Sequence, residues 1–372
     1  MNSVSNWNFD RGNLQRTGYY DGNPPKKLKL KWKFNTGARI NINPLIYDGR
    51  IFVSNKENSF YSIDLKTKKI LWNINFVEDI TCFVIHKEEV YIGTSNSIYC
   101  FDVYNGDFVW EYKIKTKKFN FGRIFGIKSR QTNDCKGIII KDNILVFADS
   151  EGFLNALNLD NGKEIWSYKI QKWYSLYLSL YNEKLFVGVK NNLYCLNIFN
   201  GYKLSKLNFK YYINTFISAD NDIMYFGTDF NFYAIELNTN KVLWEHKIKS
   251  LGYITFESPA VYKDRIVLAY HDDYDFHCYA YLCCLNKNNG NVLWTYDDVF
   301  NFIHSGPVIS NGCVYFGCEN FHSREYYFCV LDLETGKELS RFETKDSLEV
   351  DPAFYDNMVV IGCDDGYLYV FE

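Results

Sequence analysis

Apolar and polar residues alternate along this chain in short runs of strand length, and turn residues break the runs at regular intervals. PLIYDGRIFVS from Pro44, FVIHKEEVYIG from Phe83 and PVISNGCVYFG from Pro307 each read as two strands around a tight turn. Downstream of such a pair stands an eleven-residue phrase, repeated seven times: Ser62–Trp72, Cys100–Trp110, Ala156–Trp166, Cys195–Ser205, Ala234–Trp244, Cys284–Trp294 and Val330–Ser340. Its first residue is usually small, its third is Asp, Asn or Glu, its seventh is mostly Gly, and its eleventh is Trp in five of the seven. Asn-Gly and Thr-Gly steps inside the phrase suit the positive φ of a hairpin, so the phrase supplies two further strands. The repeating unit is therefore four short antiparallel strands, A to D. Repetition at this period predicts a solenoid or a propeller, and a four-stranded unit predicts propeller blades.

The count follows from the ends of the chain. A last unit, PAFYDNMVVIGCDDGYLYVFE, stops at Glu372 after three strands, and LKLKWKF around Trp32 is a D strand with no A to C before it. Pairing Leu28–Phe34 with the last unit removes both open edges and closes a ring of eight blades. The expected architecture is an all-β, eight-bladed propeller over 28–372, preceded by a lead-in segment, 1–27, that packs on it.

The phrase resembles the tryptophan-docking motif of the pyrroloquinoline-quinone-like (PQQ-like) propellers, which have Ala, Asp, Thr-Gly and Trp at sites one, three, six-seven and eleven. The segment Trp7–Tyr19, WNFDRGNLQRTGY, is similar to the one that often precedes the first blade in that superfamily. This resemblance implies the fold and leaves the function open, because the superfamily holds quinone-dependent dehydrogenases, a lipoprotein of the outer-membrane barrel-assembly machinery and kinase-linked sensor domains. In the members it resembles, the Trp stacks between blades. Ser205 and Ser340 depart from that pattern, so blades 4 and 7 are expected to be held less firmly at that seam.

With 23% charged residues and a net charge of −3, no overall field draws the chain to nucleic acid or an acidic membrane. No run approaches transmembrane length, and the first residues show no apolar signal core. The eleven cysteines lack the spacing of a disulfide scaffold, and Cys100, Cys195 and Cys284 take the small first site of the phrase. Free thiols without an export signal point to the cytoplasm.

Function in a repeat protein sits where the repeat is broken. Three blades carry extra residues, near 115–135, 271–281 and 319–327. The connectivity sends all three to the face that holds the B–C turns and the links between blades, and loops gathered on one face often form a binding surface. The first insertion mixes Lys117, Lys118 and Arg123 with Phe119, Phe121 and Phe125, a combination suited to an acidic peptide and less to a single nucleic-acid strand. At the starts of the A strands, Asn41, Asn43, Glu257, Ser258, His304, Ser305, Glu349 and Asp351 should line the mouth of the central channel. His271, His277, His304, Cys318 and His322 gather in blades 6 and 7, and imidazole with thiolate suits zinc, iron or copper, although no CxxC or HExxH spacing accompanies them.

The dehydrogenases that the resemblance brings in hold PQQ and calcium, and the alcohol-dehydrogenase branch sets a vicinal cysteine pair against the quinone. The pair available here, Cys283–Cys284, lies within one strand, where neighbours point to opposite faces. No carboxylate–amide calcium set is evident, so PQQ is not expected. No GxSxG, Walker or Rossmann signature appears either. The reading is a non-catalytic scaffold without a cofactor, binding a protein or peptide through its decorated face by way of Lys117–Phe125, Glu257, His304 and Asp351. The alternatives are a metal-dependent enzyme, with a peptide among its substrates, that uses the His/Cys cluster, and an envelope lipoprotein homologue.

Overall fold

The phrase folds as a unit because its first and eleventh residues face each other across two strands. Ser62 pairs with Trp72, Cys100 with Trp110, Ala156 with Trp166, Cys195 with Ser205, Ala234 with Trp244, Cys284 with Trp294, and Val330 with Ser340. A small residue opposite an indole leaves room for the ring. A register shift follows immediately at each of these pairs, turning the outer strand.

The computed structural model describes residues 6–115, 134–172, 176–250, 252–274, 277–296, 302–320 and 323–372, and of Tyr274, His277 and Cys278 the backbone alone. It is an eight-bladed propeller. Its innermost strands are Leu45–Tyr47, Ile80–His86, Cys135–Lys141, Tyr177–Tyr181, Ser218–Asp220, Ala260–Tyr262, Val308–Ser310 and Ala353–Tyr355, for blades 1 to 8. Blade 8 takes its outer strand from the other end of the chain: Leu30–Asn35 pairs antiparallel with Tyr367–Phe371, setting Trp32 against Val370. The ring closes as the strand count required.

Neighbouring blades are joined by the phrase itself. The indole nitrogens of Trp72, Trp110, Trp166, Trp244 and Trp294 donate to the carbonyls of Val103, Leu159, Ile198, Lys287 and Leu333, at 2.7–3.2 Å. Each acceptor is the fourth residue of the next phrase. The seventh residues of those same phrases are Gly106, Gly162, Gly201, Gly290 and Gly336, with φ of +65° to +75°. A Cβ at any of them would stand 2.6–2.8 Å from the neighbour's indole. Where blade 4 has Ser205 in place of Trp, the seventh residue of the following phrase is Asn240. Trp32 of blade 8 differs again: its Nε1 has no hydrogen-bond partner among the described residues, and the phrase after it round the ring carries Lys68 at the seventh site.

The lead-in threads the channel. Trp7 exchanges both backbone hydrogen bonds with Ile46, each 2.9 Å. The N–H groups of Ile85, Leu180, Ala219, Val261 and Ile309 donate in turn to the carbonyls of Asn8, Leu14, Gln15, Thr17 and Gly18, at 2.7–3.1 Å. All six blade residues are the penultimate residue of their inner strand, so the lead-in traces an arc of constant height near the A–B turns. On blade 8, the ring of Phe354 packs against Trp7 and Tyr20, with centroids 5.3 and 5.4 Å away. Tyr19 and Tyr20 complete the arc as a short parallel strand beside Ile309 and Ser310. An inner strand facing an open channel presents unpaired N–H groups, and the lead-in carbonyls satisfy them.

Candidate functional site

With one end of the channel occupied by the lead-in, the accessible mouth lies at the starts of the inner strands. Arg11 rises into it, 1% exposed. Its Nη1 pairs with Asp351 Oδ2 at 3.1 Å, and its Nη2 donates to the carbonyls of Pro259 and Pro307 at 2.8 Å and of Ser258 at 3.1 Å. A Cβ on Gly18 or Gly306 would overlap the guanidinium, so both glycines are part of its slot. The carbonyls of Ser258 and Pro259 are available because blade 6 interrupts its inner edge between Tyr253–Phe256 and Ala260–Tyr262.

Of the mouth residues inferred from the sequence, Asn43, Glu257, Ser258 and Asp351 lie around Arg11 and one another, and several are already committed. Asp351 Oδ1 accepts from Gly306 N at 2.5 Å and its backbone N–H donates to Asn43 at 2.8 Å. Burial pushes its carboxyl up, against the pull of Arg11. Asn43 also donates to Asp10 at 2.6 Å, and Asp10 pairs with Arg16. Ser305 accepts from Gly317 N at 2.6 Å. Arg39 joins Glu349 to Asp364, with 2.9 Å to the latter, whose carboxyl burial and Glu349 push up to about 7. Glu257 is the mouth carboxylate that stands half-buried facing Asp351; burial and then that neighbouring charge push it up to about 8, with Arg11 opposing. Between blades 1 to 3 and the lead-in, a cavity of about 270 Å³ is lined by Asp10, Arg16, Asn41, Asn43, Cys82 and Lys136 among others.

Of the histidine and cysteine cluster, the described members His271, His304 and Cys318 make separate contacts. His271 is 6% exposed, and its Nε2 lies against the backbone of Ile303, 3.0 Å from the nitrogen and 3.1 Å from the carbonyl oxygen. Burial, followed by the nearby His304, lowers it to about 4. His304 reaches Glu319 at 3.3 Å and stacks on Phe302 with centroids 4.9 Å apart. Burial raises the Glu319 carboxyl, but hydrogen bonds from His304 and Ser347 outweigh it and hold it below its usual range. The thiol of Cys318 points to the Tyr327 carbonyl and to Cys329 instead of joining the imidazoles. Among the described residues, no group of three or more His, Cys, Asp or Glu side chains is arranged to hold a metal ion. His322 and the side chain of His277 lie outside the described residues, as do Lys117, Lys118, Phe119, Phe121, Arg123 and Phe125.

Two insertions are visible as lengthened hairpins. In blade 6, Arg265–Tyr274 pairs with His277–Asn286 out to Tyr274 opposite His277, and in blade 7, Cys313–Asn320 pairs with Glu325–Asp332. Both rise on the mouth side. The role of Arg11 was not legible beforehand: it is one basic residue in an aperiodic segment, and its partner stands 340 positions away.

The family model described as outer membrane protein assembly factor BamB matches residues 29–120 and 189–306. No curated protein sequence matches the chain. Solved structures that it resembles include BamB from Moraxella catarrhalis, with a TM-score of 0.72 and 14% identity over 93% of this chain and 99% of that one. Another is the quinohemoprotein alcohol dehydrogenase from Comamonas testosteroni, with a TM-score of 0.78 and 12% identity over 99% and 80%. A third is the computationally designed Ika8 protein, with a TM-score of 0.69 and 14% identity over 91% and 97%. At these identities the likeness establishes the fold. The family model covers more than half of the sequence, and the chain belongs to that family of PQQ-like β-propellers, the one described by outer membrane protein assembly factor BamB.

Proposed function

We propose that the protein is a non-catalytic scaffold that binds a protein or an extended peptide on the mouth face of the propeller. The observation that supports this most is its one-sidedness. The lead-in fills the channel at the level of the A–B turns, while the lengthened hairpins of blades 6 and 7 belong to the opposite face. A broad face with a closed floor suits an extended partner better than a small substrate in transit. Membership of the BamB family agrees with a protein partner. Lys117, Lys118 and Arg123, with Phe119, Phe121 and Phe125, would supply basic and aromatic contacts to the partner, and Glu257 and His304 polar contacts at the centre of this face.

A crosslinking comparison tests the proposal. A bulky thiol-reactive group is attached through Tyr253→Cys, on the mouth side, and through Lys263→Cys, in a turn of the opposite face, and partners are crosslinked in the source cells. The reading requires partner crosslinks to disappear with the first modification and persist with the second. The reverse pattern, or a stoichiometric metal that is lost on His304→Ala, overturns it in favour of another face or of the metalloenzyme.

A further inference from the structure

Cys82 and Cys135 lie on the innermost strands of blades 2 and 3, and their sulfurs are 3.4 Å apart. Both are free thiols. The room for them comes from Gly93, since a Cβ there would stand 2.8 Å from each sulfur. At the corresponding glycines of other blades no sulfur is among the nearest atoms: they belong to Phe256 and Thr215 at Gly227, Leu348 at Gly317, and Ile40 and Val350 at Gly362. Cys135 is buried, whereas Cys82 is half-buried and lines the channel cavity together with Arg16 and Lys136. A second close pair, Cys318 and Cys329 at 3.5 Å, is buried within blade 7.

We propose that Cys82 and Cys135 form a peroxide-responsive dithiol that closes to a disulfide between blades 2 and 3. Cys82 is the attacking sulfur, because it borders the cavity and a molecule as small as hydrogen peroxide reaches it there. Its thiolate takes one oxygen from the peroxide, giving a sulfenic acid and releasing hydroxide, which a proton converts to water. The Cys135 sulfur then attacks Cys82, the S–O bond breaks, and a second water leaves. In sum, two thiols and one peroxide give one disulfide and two waters. The thiol hydrogen bond from Cys135 holds Cys82 below the usual thiol range, while burial and that neighbour push Cys135 up, which fits the division of roles. The bond would tie the ends of a 53-residue stretch that contains the inserted connection between the two blades.

The test uses the full-length protein, treated with about one equivalent of hydrogen peroxide, quenched and analysed by intact mass and peptide mapping. The expected product is lighter by two hydrogens, links Cys82 to Cys135, reverts with a dithiol reductant and melts several degrees higher than the reduced protein. Cys82→Ser and Cys135→Ser should each abolish the link. Cys135→Ser should in addition leave a trappable sulfenic acid on Cys82, which a purely packing role for the sulfurs does not produce. The proposal is overturned if both thiols stay open to alkylation after treatment, if Cys318–Cys329 links first, or if Cys82 proceeds to sulfinic acid without crosslinking.

Discussion

The indole of Trp110 covers Gly162 so closely that a β-carbon on the glycine would stand 2.7 Å from Cε3 of the ring. The same indole donates to the carbonyl of Leu159, three residues earlier. The glycine and the tryptophan are thus two halves of one joint, contributed by successive blades.

Gly162→Ala should therefore be costly twice over, through its φ of +65° and through collision with the ring. A loss of about 2–4 kcal/mol is expected, combining backbone strain with overpacking. Asn240→Gly, at the joint where Ser205 replaces the indole, should change stability by less than about 1 kcal/mol. Denaturant titration of the two variants side by side checks the contrast; equal effects would separate the glycine from the indole.

Arg11→Ala should destabilise by about 3–5 kcal/mol, because it strands Asp351 as an uncompensated buried charge. Adding Asp351→Asn to that variant should recover part of the loss. A double-mutant cycle measured by thermal unfolding reads the coupling, and additive losses would contradict the ion pair.

Two groups tilt the pH profile in opposite senses. Glu257 binds its proton more tightly when folded, with a value of about 8 against ~4.3 for an unfolded chain. The unfolded state therefore sheds a proton that the folded state keeps, and stability falls as pH rises from ~4.3 to about 8. His271 behaves inversely: its folded value of about 4 lies below ~6.5, so stability is lost as pH falls across that interval. Glu257→Gln should flatten the first slope and His271→Phe the second, in unfolding curves recorded between pH 4 and pH 9.

Removing the residues up to Asp21 should unprotect six distant amides together. Ile46, Ile85, Leu180, Ala219, Val261 and Ile309 all lose a backbone acceptor. Hydrogen exchange should speed up at all six, while amides between the B and C strands stay protected. Exchange rising at Ile46 alone would mean that the other bonds do not hold.

What the sequence disclosed and what it withheld have a common physical origin. Trp72 and Gly106 belong to patterns that recur at fixed spacing, so blade number, strand order and ring closure could all be counted. The small residue at the first site was legible for the same reason, with Cys100 and Ala156 each facing its indole. By contrast, Arg11 with Asp351 and Cys82 with Cys135 are single encounters between remote stretches, and no periodicity announces them. His271 was noticed as a candidate ligand, but its contact with the backbone of Ile303 could not be read, because backbone atoms leave no compositional trace.

The arc from Trp7 to Tyr20 also constrains assembly in time. This segment precedes in the chain every blade it will bond, so it must wait, unsatisfied, while three hundred and more residues are made and arranged. Its seating is a coincidence event that requires seven finished wedges at a common height, and one misregistered inner strand denies it a landing point. Such long-range closure predicts a slow final folding phase. The corollary is a built-in proofreading step, since the hub locks only around a correctly completed wheel.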